Sequence, residues 1–143
     1  MSCQRVLEHA LPPGDTVERF EHVHFDPAPR VVSEARRFVR AQLPPLPADT
    51  VDATLLMASE LVTNAVIHAR TRLEVGVMVS ARAVLVTVHD LDLARAAQQP
   101  YSDRDGGRGL GIVATLSEEH AVDRHDGEGK TAWFRVSRQG DVA

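Results

Sequence analysis

Residues Val51 to Ala69 constrain the fold of this chain more than any other stretch. Val51, Leu55, Ala58, Val62, Ala65 and Ala69 recur at spacings of four and three, the stripe of a helix that buries one side against a core. Leu56, Leu61 and Ile67 fall on its flanks. Inside this pattern Glu60, Asn64 and His68 stand four residues apart, just over one helical turn, so the three polar side chains stack on one face. A carboxylate and an amide among apolar neighbours are costly to bury unless something satisfies them. A metal ion or a polar ligand would do so. Water would too, if this is simply the solvated face of an amphipathic helix. The segment alone leaves both readings open.

The chain of 143 residues, 43% apolar and 25% charged, has the size and balance of one globular domain with a tail or two. We expect an N-terminal arm over 1–19, a single domain over 20–138 and a tail over 139–143. A net charge of −4 argues against direct nucleic-acid binding, which needs a basic surface to neutralise phosphates. The uninterrupted apolar runs are too short to span a bilayer and no signal-peptide pattern opens the chain, so we expect a cytoplasmic, bacterial-type protein with no membrane association. Cys3 is the single cysteine, and Lys130 the single lysine against fifteen arginines.

Along the chain, Pro12-Pro13-Gly14 marks the arm. Phe20 to Phe25 reads as an edge strand, and a first helix runs from about Pro29 to Gln42 with Val31, Ala35, Phe38 and Val39 inward. Asp49 is placed to cap the second helix, which ends near Ala69. Leu73, Val75, Val77 and Val79, then Val84, Val86 and Val88, alternate as two strands joined by a hairpin at 80–82. Residues 91–106 have no firm period, the mark of a lid or a disordered loop. A short helix over about 110–116 follows, then a strand from His120 to Arg124. Asp126 to Gly129 form a turn, and the last strand covers Lys130 to Ser137. Two helices on one face of a mixed, mostly antiparallel sheet, a two-layer α/β sandwich, is the economical architecture.

Two further elements carry possible chemistry. Gly107-Arg108-Gly109-Leu110-Gly111 precedes a helix, where close backbone amides and the helix dipole suit phosphate, although a plain turn has the same composition. Asp90 at a strand end and Thr131 entering the last strand could together recognise an exocyclic amino group, although Asp there also makes turns and Gly127 and Gly129 serve a hairpin.

The order of these elements resembles the N, G1, G2 and G3 boxes of the GHKL (Bergerat-fold) ATPase superfamily. More narrowly, residues from about 25 to 136 are similar to the bacterial anti-sigma-factor serine/threonine kinases. Ala58-Ser-Glu-Leu-Val-Thr-Asn-Ala-Val-Ile-His-Ala69 carries the resemblance most strongly, with Gly107-Arg-Gly-Leu-Gly-Ile-Val113 and Gly129-Lys-Thr-Ala-Trp133 beside it. The resemblance implies ATP and Mg²⁺ as cofactors, with Asn64 as metal ligand, Glu60 as general base and His68 near the phosphates. It implies Asp90 on the adenine amino group assisted by Thr131, and Gly107, Arg108, Gly109, Leu110 and Gly111 around the phosphates. The implied partners are a sigma factor, an antagonist (anti-anti-sigma) protein phosphorylated on serine or threonine, and a second copy in a homodimer.

One box departs from the family pattern. The adenine-binding Asp is usually followed by D-x-G-x-G, whereas this chain reads Asp90-Leu91-Asp92-Leu93-Ala94. A side chain and a second negative charge thus stand where glycine leaves room for the nucleotide. A degenerate pocket serving only as a protein-binding module is therefore the alternative function. His22-x-His24 puts two imidazoles on one side of a strand at metal-ligand spacing, but no further ligand set follows it in sequence.

Overall fold

The computed structural model describes residues 10–92 and 116–138. Strand β1 (Val17–Phe25) leads to helix α1 (Val31–Gln42) and helix α2 (Ala48–Asn64), which ends in a π turn (Ala65–Ala69). Strands β2 (Leu73–Ser80), β3 (Ala83–Asp90), β4 (Glu119–His125) and β5 (Gly129–Ser137) follow. They form one sheet in the order β1-β2-β3-β5-β4. The two-layer α/β sandwich is as expected. Every pairing among the described strands is antiparallel, and among them no parallel pair occurs. Two hairpins, β2–β3 and β4–β5, supply half of these pairings, and a hairpin is antiparallel by construction.

Alternation along the strands gives the sheet two different faces. Val75, Val77, Val79, Val84, Val86, Val88, Phe134 and Val136 point inward to a core shared with Val31, Ala35 and Val39 of α1 and Leu55, Met57, Ala58, Leu61 and Val62 of α2. On the outer face a smaller cluster gathers Met78, Leu85 and Trp133 around Ala10. Leu61 is buried rather than flanking, whereas Leu56 and Ile67 are exposed. The four buried side chains Leu55, Met57, Leu61 and Val62 contribute about 1.5–3 kcal/mol each. That outweighs the about 1–3 kcal/mol lost when a polar group is left without a partner, so α2 can carry polar residues near its end. With its π turn, α2 spans 22 residues and is long and apolar enough, by length and composition only, to cross a bilayer. Here that apolarity lines the core beneath the sheet.

Several boundaries differ from expectation. Pro47 occupies the N-cap position of α2 with no side-chain cap, and Asp49 sits inside the first turn, where the helix dipole favours its charge. Proline fixes the backbone at this entry but offers no side-chain acceptor to the first-turn N–H groups. β1 begins at Val17, three residues before Phe20. The part of the expected arm that is described is held down: Ala10 is fully buried, its carbonyl accepts from the Arg135 guanidinium, and the Ser80 hydroxyl donates to Asp15. The lid beyond Asp92, the expected helix as far as residue 115 and the tail after Arg138 lie outside the described residues.

The outer face buries a titratable group, His89, only 4% exposed. Its Nδ1 lies 2.9 Å from the Thr131 hydroxyl, and Nε2 has no hydrogen-bond partner among the described residues. Burial pushes its pKa below that of free imidazole and nearby His125 adds to this, while Asp90 and Glu74 work against it. The unfolded chain therefore binds the proton more readily than the folded one. The stability tied to His89 is whole above about pH 6.5 and is lost as the pH falls below that value. Urea unfolding from pH 8 to pH 5 should show a loss of stability on acidification, and His89→Gln should make the slope shallower.

Candidate functional site

The elements carrying the candidate residues meet at one end of the inner face. Leu73 opens β2 opposite Asp90, the last residue of β3, and Asp90 in turn pairs with Lys130 at the start of β5. Only three residues separate the π turn from β2. The backbone N–H of Leu91 donates to the Thr71 hydroxyl at 2.9 Å, which ties the loop after the π turn to the end of β3. The π turn itself packs against β3. The C-terminal end of α2 and the carboxylate of Asp90 thus border the same region.

Glu60 and Asn64 are half-buried in the last turns of α2, and among the described residues neither side chain has a hydrogen-bond or ion-pair partner. They stand in line, as the four-residue spacing requires. His68, one turn further on, lies in the π turn and is exposed, whereas Glu60 and Asn64 are half-buried. Arg70 ends the turn in a left-handed conformation (φ 57°) and returns its N–H to the Ala65 carbonyl at 3.1 Å. Single π turns are frequent at functional sites.

Asp90 is nearly fully buried, with its side chain 4% exposed. Its two carboxylate oxygens accept from Lys130 Nζ at 2.9 and 2.7 Å, and Oδ1 also accepts the backbone N–H of Asp92 at 2.9 Å. The Asp92 carboxylate stands 3.7 Å from the same ammonium. The second negative charge in place of glycine is therefore balanced by the single lysine of the chain. Gly129 lets the two strand ends approach this closely. With φ at +89°, a Cβ there would lie 2.0 Å from the Asp90 carbonyl oxygen.

Thr131 is elsewhere. It shares the outer face with Trp133, and its hydroxyl contacts His89 Nδ1 and His125 Nε2, each at 2.9 Å. The sheet separates it from Asp90, because adjacent residues on a strand point to opposite faces. The residue beside Asp90 on the inner face is Lys130. The register of β3 against β5 carries that information, but a single sequence with no pairing register does not. Gly107, Arg108, Gly109, Leu110 and Gly111 lie outside the described residues.

Chemically, the inner end of the sheet offers a half-buried carboxylate able to accept a proton, an amide oxygen able to ligate a hard cation, and a buried carboxylate able to accept from an amino group. Residues 25–136 match the family model of the histidine kinase-like ATPase domain. No curated protein matches the chain.

Removing Lys130 alone would leave the Asp90 charge buried and uncompensated. Lys130→Met should cost about 3–5 kcal/mol in urea unfolding. Asp90→Asn combined with Lys130→Met should cost clearly less than the sum of the single changes. Strict additivity would show that the pair does not hold the strand ends together.

Proposed function

The chain belongs to the histidine kinase-like ATPase domain family, and from that premise we propose that it binds ATP with Mg²⁺ and phosphorylates a serine or threonine of a small antagonist protein in a sigma-factor partner switch. ATP binding is the property of the family. The kinase activity and its partners are the finer reading. The observation that carries it is the Glu60–Asn64 pair, two polar side chains held half-buried by a core helix without structural partners of their own among the described residues. The described fold does not use them, which leaves them for a ligand.

Asn64 suits Mg²⁺, an ion that keeps several waters and takes few protein ligands. When bound, the ion would neutralise phosphate charge. Glu60 would accept the proton of the attacking hydroxyl. That oxygen then forms a bond to the γ-phosphorus as the bond to the β-bridging oxygen breaks and ADP leaves. The adenine amino group would donate to Asp90, on the inner face with the helix end.

The grip of Lys130 on both Asp90 oxygens favours one other reading, a protein-docking module whose nucleotide pocket has closed. Calorimetric titration separates the two. In the first, ATP binds in a Mg²⁺-dependent manner, and Asn64→Ala weakens it by about tenfold or more, the worth of one charge-assisted contact. In the second, folded protein gives no heat with ATP at all.

Glu60→Ala should retain nucleotide while losing transfer to a cognate partner by about a hundredfold or more. Undiminished phosphorylation by that variant would remove Glu60 from the role of base.

A further inference from the structure

A second polar site lies on the opposite face of the sheet, at the junction of β1 and β2. Val23 and Phe25 point into the core, so His22 and His24 point outward, as does Glu74 between Leu73 and Val75. In the register, His24 is paired with Glu74 and His22 with Gly76. His22 Nδ1 is 2.8 Å and His24 Nε2 is 3.5 Å from the same carboxylate oxygen of Glu74. The three ligand atoms lie within 4.8 Å of one another.

We propose that His22, His24 and Glu74 bind a first-row transition-metal dication of the Zn²⁺ type. Donor chemistry selects the metal class. Two imidazoles with one carboxylate suit Zn²⁺, Co²⁺, Ni²⁺ or Cu²⁺, whereas Mg²⁺ and Ca²⁺ take oxygen ligands. The spacing fits as well. Ligand atoms about 2.1 Å from a tetrahedral ion stand about 3.4 Å apart, and the two histidine–glutamate distances bracket that value. Three protein ligands leave the fourth position for water.

The surroundings hold the donors in place. Phe20 stacks on His22 with ring centres 5.5 Å apart, and the two imidazoles meet edge to face at 5.9 Å. Gly76 brings no side chain to this spot, where a Cβ would stand 2.6 Å from the Thr87 hydroxyl oxygen and 3.1 Å from the Phe20 ring. Glu74 is anchored in the sheet at 3% exposure, while the histidines on the edge strand remain accessible to an incoming ion. The ion would clip the edge strand to its neighbour. The third ligand lies far along the sequence from the histidine pair, and only the strand register brings it alongside.

The test uses the full chain without an affinity tag, stripped of metal. Titration with Zn²⁺ should show one saturable site, Co²⁺ should give the visible absorption of a tetrahedral centre, and Zn²⁺ should raise the melting temperature. His22→Gln and His24→Gln, both at exposed positions, should each weaken Zn²⁺ binding at least about tenfold, since even the hydrogen-bond partners of metal ligands are worth that much. They should also abolish the rise in melting temperature. Glu74→Gln should do the same where it folds. The proposal is overturned by the absence of saturable binding, which would leave a plain histidine–glutamate ion pair. It is equally overturned by binding unchanged in both histidine variants, which would assign the ion to another pair such as His89 and His125.

Discussion

The seating of α2 against the inner face of the sheet is the contact on which the rest of this molecule depends. Leu55, Ala58 and Val62 are fully excluded from solvent there, and their burial sets the rotation of the helix about its own axis. Once that rotation is fixed, Glu60 and Asn64 cannot choose their direction. They stand at the margin of the core, half-covered, at the end where β3 finishes and β5 begins. The polar pair is thus positioned by apolar packing, and the energy that holds it in place is spread over side chains that take no part in its chemistry.

Charge at the end of the sheet is managed just as locally. Two aspartates stand within a three-residue span, one nearly fully buried, and a lone ammonium serves both. A buried carboxylate with such a partner is held in a fixed direction, and removing the ammonium would leave the Asp90 charge uncompensated. The Asp92 carboxylate, standing where the family pattern has glycine, lies 3.7 Å from the Lys130 ammonium that β5 brings to this end of the sheet.

Periodicity made the sandwich legible. The strands from Leu73 to Ser137 and both helices follow from spacing, because the core demands a stripe from helices and alternation from strands. The Glu60–Asn64 row follows for the same reason. Three features were not legible, each for a physical cause. The π turn that holds His68 is a difference in hydrogen-bond closure that leaves no compositional mark, so spacing alone reads a regular α-helix to Ala69. The position of Thr131 depends on a parity count that begins at Gly129, and one residue reverses the face. The pairing of Lys130 with Asp90, like that of Glu74 with His24, depends on cross-strand register, which is set by the packing of the whole sheet. Of the sequence features assigned to the phosphates, the glycine-rich run at 107–111 lies beyond the described residues.

Among the described strands the two edges of the sheet are β1 and β4, and both are written in charged and imidazole side chains: Glu18, Arg19, Glu21, His22 and His24 on one, Glu119, His120, Asp123, Arg124 and His125 on the other. β1 also carries a register irregularity between Val17 and Arg19. An open edge offers unpaired backbone groups to any passing strand, and charge and irregularity are the means by which proteins refuse that offer. Continuation of the sheet from one molecule into the next would bring these residues face to face with their own copies. Among the described strands, charge at both edges and the irregularity in β1 thus work against self-association by strand addition.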